Sequence, residues 1–189
     1  MRNLKFIALS IVTSAFIASC SSDDSAPQII NQEEVITDVS LSFINESGGV
    51  SIYSYTDPQY RAEDYVAPVI SLESGKTYQV EANFYNISNP EEPELLTEEI
   101  QEERDDHFLT YAFTEINVDL SRTDGPLSTD TNGIQIGLST QWQVGEPGDG
   151  TLTLRLIHQA TEKITTPAEG SFTGGETDAQ VSFEVEVIE

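Results

Sequence analysis

The chain has 189 residues, with 33 acidic residues against eight basic ones and a formal net charge of −25. So acidic a chain repels nucleic acid and anionic lipid head groups, which leaves cations and basic protein surfaces as its charged partners. A single cysteine excludes an intrachain disulfide, so a hydrophobic core must hold the fold. In chain order, Arg2 and Lys5 come first, followed by an apolar run of 13 residues from Phe6 to Ala18. A membrane-spanning helix needs about 20 residues, whereas the apolar part of a secretory signal peptide runs about 7–15. Residues 1–19 are therefore expected to be a signal peptide. They hold two of the eight basic residues and none of the 33 acidic ones. Beyond them six cations face 33 acids, a net charge of −27.

Ala18 and Ser19 directly before Cys20 resemble the lipobox of bacterial lipoproteins. That resemblance implies cleavage before Cys20 and acylation of its thiol and its new amino group. Several acyl chains hold a protein stably on a membrane, because each buried methylene contributes about 0.8 kcal/mol. Ser21, Ser22, Asp23 and Asp24 follow directly. They resemble the signal that sends Bacteroidota lipoproteins to the outer face of the outer membrane. Residues 20–33 are polar, contain Pro27 and lack periodicity, as a flexible tether would.

From residue 34 to 189 the sequence reads as one domain. Val35, Val39, Leu41 and Phe43 alternate with mostly polar residues, the two-residue period of a half-buried strand. "SGG" at 47–49 is a turn before "VSIYSY", and Ser74-Gly75 is a turn before the row Tyr78, Val80, Ala82, Phe84. Thr97, as an N-cap, with Glu98 and Glu99 behind it, suits a helix start. A short helix is expected at about 97–106, with Leu96, Ile100 and the alkyl part of Arg104 on one side. Strands then resume with Leu109, Tyr111 and Phe113 in one row, then "INVDL" and "IQIGLSTQWQV". Leu152, Leu154 and Leu156 form the next row, and Val181, Phe183, Val185 and Val187 the last. Eight or nine strands with turns every 8–12 residues predict an all-β fold: a single antiparallel immunoglobulin-like β-sandwich with one short helix.

No phosphate loop, GxSxG elbow, CxxC or HExxH motif is present, and paired carboxylates carry little meaning among 33 acids. The reading is of a protein that is not an enzyme. The histidines are more informative. His158 continues the row Leu152, Leu154, Leu156, and His107 leads the row Leu109, Tyr111, Phe113, so both are expected on the core face at strand ends. Glu99, Glu103 and His107 stand four residues apart and would line one face if the helix reached His107. Imidazole with carboxylate suits zinc or another divalent transition metal. His107, His158 and Glu103, with Glu99 or Asp106 beside them, are the candidate ligands. The competing reading has two strand-end histidines bonded locally beside a solvated row of glutamates. A calcium loop beginning at "STDTNG" (128–133) would have Ser128 at position one and Ser139 at position twelve, where Asp and Glu are needed, so the stretch reads as a turn at Asn132-Gly133. Asn86-Ile87-Ser88 is a glycosylation sequon and reads as coincidence.

"CSSDD", "SLESGKTY", "TEEIQEERDDHF", "TLTLRLIHQ" and "GGETDAQVSFEVEV" together resemble a family of uncharacterised flavobacterial outer-membrane lipoproteins. That family is often labelled as a type 1 periplasmic binding fold. The label implies alternating βαβ units, whereas the strands dominate here. The resemblance implies a lipid-anchored location at the outer membrane, facing the cell surface or the periplasm, and a partner among TonB-dependent outer-membrane receptors. It leaves two classes of role: a non-catalytic module that binds a ligand or metal or docks on a transporter, and a structural envelope or adhesion component.

Overall fold

Period-two alternation divides strands such as Thr77–Asn86, Gly148–His158 and Glu176–Ile188 between a buried row and a more exposed row, and two such apolar faces close on each other as a sandwich. The structure is a computed structural model and describes residues 35–189. The expected signal peptide, the tether, Cys20 and the Ser21, Ser22, Asp23, Asp24 signal lie outside those residues. The strands are β1 (Asp38–Asn45), β2 (Val50–Thr56), β3 (Val69–Glu73), β4 (Thr77–Asn86), β5 (Glu94–Leu95) and β6 (His107–Thr114). They continue as β7 (Val118–Arg122), β8 (Ser139–Val144), β9 (Gly148–His158), β10 (Glu162–Ile164), β11 (Ser171–Thr173) and β12 (Glu176–Ile188). One helix, α1 (Thr97–Glu102), interrupts them.

One main sheet runs β2-β1-β4-β8-β7, with β5 beside β4; the other runs β3-β12-β9-β6, and β10 and β11 pair as a separate two-stranded sheet. The expected rows are the buried ones. Val39, Leu41 and Phe43 of β1 and Val80, Ala82 and Phe84 of β4 face Leu152, Leu154 and Leu156 of β9 and Val181, Phe183, Val185 and Val187 of β12. Trp142 is fully buried at the centre.

The sandwich is all-β but not wholly antiparallel, because β3 pairs with β12 in parallel. The segment after β2 crosses from one sheet to the other instead of turning back as a hairpin, and so sets β3 on the edge beside β12, a strand far from it in sequence. Arg61 packs this segment down, its guanidinium 4.7 Å from the Tyr55 ring and 4.4 Å from the Tyr65 ring. The strands also outnumber the eight or nine expected. The extra ones, β5, β10 and β11, have two or three residues each, too few to display an alternation.

Two further devices close the end of the domain near residues 107–110. The outer edge of β6 is covered, since the Leu109 N–H donates to Ile136 O and the Tyr111 N–H to Glu169 O. Arg122 fastens that cover by donating to the carbonyls of Ala168 (2.8 Å), Leu109 (2.7 Å) and Gln135 (3.1 Å). Burial works against its charge and lowers its pKa, and the aligned carbonyls offset that cost. Nearby, the Asp124 carboxylate accepts from the N–H groups of Gly137, Leu138 and Ser139. Its burial raises its pKa above the ordinary carboxylate value despite those bonds.

Candidate metal centre

His107 opens β6 and His158 closes β9, and the two are direct cross-strand partners. Because both continue inward rows, their rings fall on the same face at the end of the core. They stack with centroids 4.9 Å apart and planes 12° from parallel. The His107 side chain is 4 % exposed and that of His158 20 %. The expected convergence of the two histidines is therefore present.

Helix α1 stops short of its expected end at about residue 106 and so does not reach His107. It ends at Glu102, with Glu103 as C-cap at φ −96° and ψ 29°. Residues 103–106 form a turn, and Asp at 105 and 106 is a poor continuation for a helix. The turn still delivers Glu103 to the histidines, because its carbonyl gathers the chain around itself. It accepts the Asp106 N–H at 2.9 Å and the His107 N–H at 3.2 Å. The same oxygen lies 3.2 Å from His107 Nδ1. A carbonyl can only accept, so Nδ1 is the donor in this contact, and Nε2 is the ring nitrogen turned away from it. Fixing the tautomer through a backbone carbonyl is how proteins commonly orient a ligating imidazole.

Among the described residues, Glu103, His107 and His158 form a set whose potential ligand atoms all lie within 4.8 Å of one another. A tetrahedral ion with bonds of about 2.0 Å spaces its ligands about 3.3 Å apart, so binding one ion would need the atoms to draw together and the stacked rings to turn their nitrogens toward a common point. Glu99 borders the same site from α1. With Leu96, Ile100, Ile36 and Leu156 it lines a cavity of about 20 Å³ that also touches Glu103, His107 and Asp178. Asp106 does not join them. Its side chain is exposed, and its carbonyl accepts the Gln159 N–H at 2.7 Å. Thr97 is not the N-cap either. Leu96 holds that position, and the Thr97 hydroxyl instead accepts the Phe84 N–H of β4 at 2.9 Å, tying the helix to the sheet.

Sequence reasoning missed Asp178. By strict alternation it belongs on the solvent face of β12. The pairing with β9 slips there: Thr177 faces Ile157 and Ala179 faces Leu156, so Asp178 is the extra residue of a β-bulge. The bulge turns Asp178 inward beside Ala179. Its side chain is 10 % exposed, with Oδ2 3.7 Å from His107 Nε2 and Oδ1 3.8 Å from His158 Nδ1. The preceding turn is built for this approach. Gly175 has φ +76°, and a Cβ there would press on the His158 carbonyl oxygen.

The 128–133 loop is committed elsewhere, as its sequence implied. Asp130 accepts the N–H groups of Asn132 and Ile134, and Lys163 Nζ lies 3.3 Å from its Oδ2. Comparison of the chain with protein-family models, curated proteins and solved structures gives no match. The assignment of a role therefore rests on the site itself.

Proposed function

We propose that the domain is a non-catalytic binding module for a divalent transition metal, zinc or a neighbour, carried on an outer-membrane lipoprotein tethered through Cys20. The observation that carries the metal reading is the joining of His107, His158 and Glu103 within ligand distance of one another. Imidazole nitrogen supplies the preference for a transition metal that a diffuse acidic surface lacks. That surface, at −25 over the whole chain, concentrates cations near the site without choosing among them. The cavity beside the ligands, about 20 Å³, has room for a single water, which suits holding an ion better than turning over an organic substrate.

Calorimetric titration of zinc into metal-free protein, in excess calcium, tests the metal reading. The expected heat saturates at one ion per chain and is lost in His107→Gln. Heat that calcium abolishes, or that is the same in the variant, means that the acid surplus alone binds the ion and the reading falls. The location is tested separately by the intact mass of protein extracted from membranes. That mass should lack residues 1–19 and carry acyl chains on Cys20; a free thiol or a retained Met1 contradicts the tether.

A further inference from the structure

We propose that Asp178 is the fourth ligand of this site, and that the ion it completes is a resident one that fastens β12 to the α1–β6 turn and to β9. This rests on the metal reading above. The two distances from the Asp178 carboxylate, 3.7 Å to His107 Nε2 and 3.8 Å to His158 Nδ1, place one oxygen opposite each ring. They are close to the separation of about 3.3 Å between ligands on one tetrahedral ion. The nitrogen it faces on His107 is Nε2, the one not in contact with the Glu103 carbonyl.

Charge gives a second argument. Two neutral imidazoles and Glu103 alone would leave a dication with one uncompensated positive charge. The His107 and Asp178 side chains are nearly buried, and an uncompensated charge beside them is costly. Asp178 brings the complex to neutrality. A third argument is the bulge. A regular β12 would turn residue 178 to solvent, and the inserted residue is what brings the acid in; bulges re-aim side chains in this way and occur beside functional sites.

With Asp178 the donor set is two nitrogens and two oxygens from three segments of the chain. Four-ligand closure is the pattern of structural zinc sites, whereas catalytic sites keep a position open. Calcium takes six to eight oxygens at about 2.3–2.6 Å and magnesium demands six in an octahedron, so neither suits this set.

The test loads metal-free protein with cobalt(II), whose visible bands are intense when four-coordinate and weak when five- or six-coordinate. The wild type is expected to give intense bands. Asp178→Asn is expected to bind at least about ten-fold more weakly and with weakened bands. A merely structural role for Asp178 would lower affinity without changing the bands of the bound ion. If the wild type binds no cobalt, the metal reading fails and this inference with it. If wild type and Asp178→Asn match in affinity and spectrum, the inference is overturned while the metal reading stands. Should the variant fail to fold, a zinc-loaded crystal of the wild type decides: an Asp178 oxygen at about 2.0–2.2 Å from the ion supports the fourth ligand, and one beyond about 3 Å overturns it.

Discussion

Replacing Trp142 with alanine is expected to remove about 3–5 kcal/mol of stability, the range measured for truncating fully buried aromatic side chains. Trp142 is 0 % exposed and makes edge-to-face contacts with Phe43 at 5.1 Å, Phe113 at 5.0 Å and Tyr111 at 6.1 Å. Phe43 belongs to its own sheet, while Tyr111 and Phe113 belong to the facing one, so the indole joins the two layers. Its N–H donates to the Thr140 hydroxyl at 2.9 Å, and Thr140 is itself fully buried. Alanine would leave a cavity and deprive that hydroxyl of its partner, two costs that add. The fold has no disulfide to fall back on, and natural domains have only about 5–15 kcal/mol of stability in total. Urea denaturation of wild type, Trp142→Ala and Trp142→Phe measures the effect. The phenylalanine variant should keep much of the stability. A loss below about 1 kcal/mol in the alanine variant would mean the indole is not the centre of the core.

Most of the sandwich was legible because several of its long strands, β4, β9 and β12 among them, bury every second residue. The rows Val39–Leu41–Phe43, Leu152–Leu154–Leu156 and Val181–Phe183–Val185–Val187 alternate for long enough to fix both the strand and its buried face. The pairing of His107 with His158 was legible for the same reason, since each histidine extends such a row. The features that the sequence hid depend on tertiary context. The parallel docking of β3 depends on a crossover whose path leaves no local pattern. The end of α1 at Glu102 depends on the turn that hands the chain to β6. Thr97 looks like a cap, yet the nearby Phe84 N–H claims its hydroxyl. Asp178 was hidden most completely, because a single inserted residue reverses the face on which every parity argument places it. Asp106, adjacent in sequence to His107, faces solvent.

The domain's proposed role turns on whether its folded state holds a metal at the two histidines, and thermal unfolding of metal-free protein with and without zinc measures that directly. An ion that binds only the folded state contributes about 2.7 kcal/mol at a hundredfold excess over its dissociation constant. The unfolded chain scatters Glu103, His107, His158 and Asp178 across 76 residues of sequence, so it offers no comparable site. In a domain of this size each kcal/mol shifts the melting temperature by about 2–4 °C, so zinc should raise it by about 5–11 °C. His158 is the ligand to remove, since it ends its strand and its side chain is 20 % exposed, so alanine there leaves the core rows in place. The account predicts that His158→Ala melts cooperatively near the metal-free wild type and no longer responds to zinc. A wild type whose melting temperature zinc leaves unchanged, or an equal rise in both proteins, would contradict it.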